Sequence, residues 1–179
     1  MRRVALISVA VALVAGSAAL AGASPRRSDV NGNFTLAWAK AFDEFPVYYL
    51  GESFDGLPLS AIYRIDDRPF PGEAVRRDDV TFVYGSCVAE RGSGCLPPLQ
   101  VQSWSACERP RGLYPYAADE TFTMDGKPAA IYEEGRRLEL AAGRTTVVLY
   151  ASDPKELRSA AAALRPINEP GEETCKAPG

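Results

Sequence analysis

Every side chain along Val80–Tyr84 (VTFVY) is β-branched or aromatic, while Leu99–Trp104 (LQVQSW) alternates with a period of two. The first run predicts a strand and the second a half-buried strand. Leu99, Val101 and Ser103 fall on one face of the second, and Gln100, Gln102 and Trp104 on the other. Between the runs lies CVAERGSGCLPP, whose glycines and prolines continue neither helix nor ladder. The pair therefore reads as a long-looped β-hairpin. Two earlier runs, Phe45–Leu50 and Leu59–Ile65, predict further strands; Asp55-Gly56 marks a turn between them, and Asp66-Asp67 closes the second. Pro128–Glu133, Arg136–Ala141 and Arg144–Ala151 are strand-like runs separated by Glu134-Gly135 and Ala142-Gly143, the signature of an antiparallel meander.

Helical periodicity occurs twice. Phe34, Ala37, Trp38, Ala41 and Phe45 fit the stripe of a short N-terminal helix. Further on, Asp153 stands as an N-cap, Pro154 at the first helical position and Glu156 at the third, a capping-box start. Leu157, Ala160, Ala161 and Leu164 supply the buried stripe of that helix, and Pro166 ends it. Arg68–Asp79 reads as a surface loop. Glu108–Gly126 is the longest stretch without a period, the kind of loop that carries function or moves. The expected architecture is one α+β domain. It has a mainly antiparallel sheet of about six or seven strands, with the C-terminal helix, and a short N-terminal one, packed on a face.

The first residues change the compartment rather than the fold. Arg2 and Arg3 precede an apolar run from Val4, and small residues follow with cleavage sites at Ala21 or Ala23, as in a secretory signal. The apolar run is short for a stable membrane-spanning helix, which needs about 20 residues. The expected organisation is a signal peptide over residues 1–23 and a leader with the short helix over 24–44. A single domain then spans 45–168, and a polar tail spans 169–179. The mature protein is expected outside the cytoplasm, without a stable transmembrane anchor.

An oxidising compartment suits disulfides. The four cysteines are Cys87, Cys95, Cys107 and Cys175. They allow three connectivities; pairing Cys87 with Cys95 would cinch the hairpin loop, and pairing Cys107 with Cys175 would tether the tail. Spacing alone leaves the choice open. The net charge is −3 and becomes more negative once Arg2 and Arg3 depart. No lysine or arginine block remains to track a phosphate backbone, so nucleic acid is not an expected partner.

The chain contains no histidine. That removes Ser-His-Asp and Cys-His nucleophilic sites and histidine-ligated zinc. The cysteine spacings resemble no common zinc site, and no calcium loop or phosphate-binding lysine motif occurs. Neither a metal nor a cofactor is expected. Ser152-Asp153-Pro154-Lys155 matches the S-x-x-K nucleophile pattern at a helix start, but its partner elements are missing and capping explains the residues. Carboxylate pairs are the remaining catalytic chemistry. Asp66-Asp67, Asp78-Asp79 and Glu133-Glu134 are neighbours at loop edges and read as solvated turn acids; Asp119 and Glu120, in the aperiodic stretch, are better placed.

A binding reading rests on aromatics and amides. Trp104 shares the polar face of its strand with Gln100 and Gln102, and Tyr114 and Tyr116 flank Pro115 in the stretch that follows. Exposed together, these five residues would make a platform for a sugar ring or a peptide; the competing expectation is that Trp104 packs under the stretch that follows it or under the C-terminal helix.

Several stretches in combination carry a resemblance: FPVYYLGESFDGLPL, VTFVYGSC, GCLPPLQVQSW, RRLELAAGRTTVVLYAS and the alanine-rich helix ending ALRPIN. Over Phe45–Asn168 the chain resembles exported proteins of GC-rich bacteria that have no established activity. The resemblance implies export and brings no catalytic residue, cofactor or ligand. The leading expectation is thus an exported, disulfide-stabilised, non-catalytic module that binds an extracytoplasmic ligand or associates with the cell envelope. The alternatives are a histidine-free, carboxylate-dependent hydrolase of glycans or cell-wall material, and a structural or assembly protein.

Overall fold

The computed structural model describes residues 34–67, 77–86, 96–106 and 117–171. Helix α1 (Leu36–Ala41) comes first, followed by the short strand β1 (Tyr48–Tyr49). Strands β2 (Ser53–Phe54), β3 (Leu57–Asp67), β4 (Arg77–Tyr84) and β5 (Leu99–Ser105) follow. Then come β6 (Glu120–Met124), β7 (Lys127–Tyr132), β8 (Arg137–Ala142) and β9 (Thr145–Ala151). Helix α2 (Pro154–Ala163) and the two-residue β10 (Arg165–Pro166) complete the order. Eight strands form one sheet in the order β2-β3-β4-β5-β9-β8-β7-β6, and β1 pairs with β10 apart from it. Every neighbouring pair is antiparallel. The fold is α+β, with the C-terminal helix packed on the sheet.

The cross-strand register explains why the sheet has one dry face. Phe82, Val101, Leu149, Leu138 and Ile131 stand opposite one another in a row across five strands. All five belong to a single hydrophobic cluster that also takes in Leu157, Ala160 and Ala161 of α2 and Ala39 of α1. Burial of each large side chain there contributes about 1.5–3 kcal/mol, which fixes the register because a one-residue slip would turn the row to the other face.

The segment between α1 and β2 crosses this face as a strap. Phe42, Phe45, Val47 and Leu50 point into the cluster. Side chains of the sheet and of the segment after β10 satisfy the strap's backbone. Asn168 accepts from Val47 N–H (2.7 Å) and donates to the carbonyls of Phe42 (2.7 Å) and Phe45 (2.9 Å). Ser103 accepts from Tyr48 N–H at 2.9 Å, and Thr145 donates to Pro46 O at 2.7 Å. The Tyr84 hydroxyl accepts from Leu50 N–H (2.8 Å) and donates to Gly51 O (3.2 Å). Buried backbone groups must find such partners. Hence Ser103, a polar residue on the side of β5 that carries Leu99 and Val101, belongs where it is.

Several expectations change in detail. The anticipated strand over Phe45–Leu50 shrinks to β1, because its backbone bonds go to side chains rather than to a ladder. Helix α1 forms, but Ala39 and Phe42 are its buried residues, whereas Ala37 and Ala41 are exposed. Phe34, Trp38 and Phe45 pack on the core as the stripe implies, with Phe34 stacked on Trp38 (4.1 Å between centroids) and Phe42 meeting Phe45 edge-on (4.9 Å). The expected loop over Arg68–Asp79 ends early, since β4 starts at Arg77. Asp78 and Asp79 are buried there rather than solvated. Arg64 donates to both carboxylate oxygens of Asp78 (3.2 Å each) and forks onto Glu44 at 2.8 and 2.6 Å, and Asp79 accepts from the Thr81 hydroxyl at 2.8 Å. Strand β6 emerges from the stretch that shows no period in sequence. Asp125 and Gly126 join it to β7 through a two-residue turn with positive φ at both (49° and 76°), the geometry an Asp-Gly hairpin demands.

Candidate functional site

The second face of the same sheet is polar and still largely buried. One row across it reads Thr81, Gln102, Val148, Glu139, Ala130. The adjacent row reads Val83, Gln100, Tyr150, Arg137, Tyr132. A buried face with two amides, an arginine, a glutamate and two phenols costs free energy unless its groups are paired, so this is where chemistry is concentrated.

A cavity of about 490 Å³ opens over these rows. Gln100 and Gln102 of β5 and Tyr150 of β9 line it from the sheet. Leu96 and Pro97, just before β5, add an apolar wall, and Leu96 is 88 % exposed. Glu133 and Arg136 come from the turn between β7 and β8, and Ala151 and Ser152 from the end of β9. The volume lies within the range of small-molecule sites.

Gln102 is the most constrained of these groups. It is only 8 % exposed, and its Oε1 accepts from the Trp104 indole N–H at 3.1 Å. That bond fixes which end of the amide is which: the oxygen turns toward Trp104, and the nitrogen is left with two hydrogens to donate. Among the described residues, no partner takes them.

Beside the amides sits an ion cluster. The Arg137 guanidinium donates to Glu139, which is completely buried, and to Glu133 at 3.4 Å. It also lies 5.4 Å from the Tyr150 ring centroid and 5.8 Å from that of Tyr132. Burial pulls its pKa down, but Tyr150 and Glu139 beside it, with help from Glu133, more than offset this and leave the value raised. Arg137 therefore remains a cation that holds Tyr150 in place by a contact of the cation–π type.

The turn that carries Glu133 is backbone-strained. Glu133, Glu134 and Gly135 have φ values of 58°, 58° and 85°. Two consecutive non-glycine residues in the left-handed region cost free energy and persist only where their surroundings hold them. Here Asp119 accepts from Glu134 N–H at 2.8 Å, and Gly135 packs so close to α2 that an added Cβ would lie 3.0 Å from Pro154 Cβ.

Of the five platform residues read from the sequence, Gln100 and Gln102 line the cavity, and Trp104 stands behind Gln102 as its anchor. Tyr114 and Tyr116 lie outside the described residues, as do Cys87, Cys95, Cys107 and Cys175 with both proposed pairings. Asp119 and Glu120 are drawn into other bonds, Asp119 to the strained turn and Glu120 to Arg158. Asp153 caps α2 by accepting from Lys155 N–H at 2.9 Å, while Ser152 N–H donates to Pro98 O at 2.9 Å.

Sequence reasoning missed Tyr150, Arg137 and Glu139. The alternation in Arg137–Ala142 (RLELAA) does place Arg137 and Glu139 opposite Leu138 and Leu140. Only the cross-strand register, however, sets them beside Tyr150 and Gln102. Comparison of the chain with protein-family models, curated proteins and solved structures finds no match.

Proposed function

We propose that this chain is an exported, disulfide-stabilised, non-catalytic binding module that acts in the cell envelope or outside it. Its ligand sits in the cavity over Gln100, Gln102 and Tyr150. The observation that carries the reading is Gln102. Its oxygen is anchored on the Trp104 indole, and its nitrogen, on the lining of the cavity, has two hydrogens to donate; a ligand acceptor at that point would complete the amide. Export is supported by Arg2 and Arg3, the apolar run behind them and the small residues at Ala21 and Ala23.

Hydrolysis by a carboxylate pair is the weaker reading. Glu133 and Glu139 lie at the cavity and beneath it, but both accept from Arg137. Acids clamped on one cation are committed as its acceptors and do not face each other across a bond to be cleaved.

The test is thermal unfolding of the mature protein against monosaccharides and oligosaccharides, short peptides and fatty acids at millimolar concentration. One class is expected to raise Tm, since a ligand that binds only the folded state stabilises it by mass action. Gln102→Leu should abolish that shift while leaving the ligand-free Tm within a few degrees. The reading fails if no class moves Tm, or if Gln102→Leu leaves the shift intact.

A further inference from the structure

The chemistry around the cavity narrows the ligand class. We propose, building on the binding reading above, that the cavity takes a neutral N-acetylated amino sugar of about disaccharide size, with an acetamido group held between the paired glutamines and the apolar wall.

Three features lead there. The first is charge. The described ionic groups at the site are Glu133 and Arg136 on its rim and Arg137 with Glu139 beneath. Among the described residues two cations face two anions, a balance that favours recognition by hydrogen bonds and stacking over selection of a charged ligand. Arg137, already against the Tyr150 ring, also makes that ring a poor seat for a second cation.

The second feature is the amide pair. Gln100 and Gln102 are two residues apart on one strand face, about 7 Å along the chain. Trp104 holds Gln102 so that its Nε2 donates, and Gln100, with no side-chain bond among the described residues, can turn its oxygen to accept. A donor and an acceptor on neighbouring amides complement the carbonyl and N–H of a third amide.

The third feature is the wall. Leu96, Pro97 and Ala151 line the same cavity as the glutamines. A ligand made only of hydroxyls leaves this apolar surface unused. An acetamido group supplies a methyl for it, and a pyranose ring supplies a C–H face for Tyr150. A free peptide also offers amides, but its charged termini gain nothing from a balanced site.

The deciding experiment is calorimetric titration with N,N′-diacetylchitobiose, cellobiose, fully deacetylated chitobiose and trialanine, in low and high salt. N,N′-Diacetylchitobiose is expected to bind about tenfold or more tightly than cellobiose, the effect of one matched hydrogen-bonded group. Its affinity should change little with salt. Gln102→Glu, which keeps the side chain's shape but replaces the donor with an acceptor, should erase the preference. A purely structural role for Gln102 would lower stability without changing the ratio between the two sugars. Equal binding of cellobiose overturns the acetamido assignment, and binding of trialanine alone overturns the sugar; either outcome leaves a binding module in place. Failure of all four probes alongside a positive response elsewhere in the thermal panel also overturns the sugar, whereas an empty panel overturns the module itself.

Discussion

Asn168 shows how much a single side chain can hold. It is buried, sits 121 residues from Val47, and answers three backbone groups of the strap at once. Asn168→Ala should therefore cost about 3 kcal/mol, the penalty for stranding buried backbone groups, read as a lower urea midpoint with little change in slope. Tyr84 anchors the other end of the strap, and burial pushes its phenol up to about 12 despite the hydrogen bond from Leu50. The unfolded chain ionises near 10, so it loses its proton first. Stability should be constant below that value and fall as pH rises from about 10 to about 12. Urea melts across that window should show a steeper loss for the native protein than for Tyr84→Phe. At this scale the sequence was legible where a residue's role is set by its own strand. The alternation in Leu99–Trp104 is enough to put Gln100 and Gln102 on one face. It cannot reveal that Asn168 or Tyr84 serves the strap, because those bonds join segments far apart in the chain.

At the scale of elements, β8 carries a buried ion pair. Glu139 is fully buried against Arg137, and removing it takes away the buried carboxylate that offsets the desolvation of the guanidinium. Glu139→Leu should destabilise by about 3–5 kcal/mol, whereas the double change Arg137→Met with Glu139→Leu should recover most of that loss. Equal losses in the two variants, measured by denaturant melts, would show that the pair is not what Glu139 contributes. Helix α2 was the most readable element: the Asp153 cap, Pro154 and the Leu157, Ala160 and Ala161 stripe stand as the pattern implies. Glu156, however, does not close the expected capping box, its Oε2 being buried without a partner among the described residues, and Leu164 is the C-cap rather than part of the stripe. Strand β6 was hidden because only Phe122 and Met124 of its five residues are apolar, and the Asp125-Gly126 turn was the overlooked signal. The start of β4 was hidden for a different reason. Its aspartates look like loop acids until Arg64, on the neighbouring strand, gives one of them a partner.

Taken whole, the molecule is a sheet with two unlike faces. One is dry, covered by both helices and the strap; the other is polar and opens to a cavity. The architecture was readable from strand and helix patterns, while the polarity of the second face was only half so. Its alternation suggested solvent contact, whereas Thr81, Gln102, Arg137 and Glu139 on it are buried. The strap has a further consequence. Its binding partners include Thr145, Arg165 and Asn168, which a ribosome produces more than ninety residues after the strap itself. Strands β3, β4 and β5 pair with near neighbours in sequence, but β9, which joins them to β8, and the strap's later partners all lie in the last third of the chain. Wherever the chain folds, the face under the strap stays open until those late residues dock, so the step that closes it belongs to the last third of the sequence.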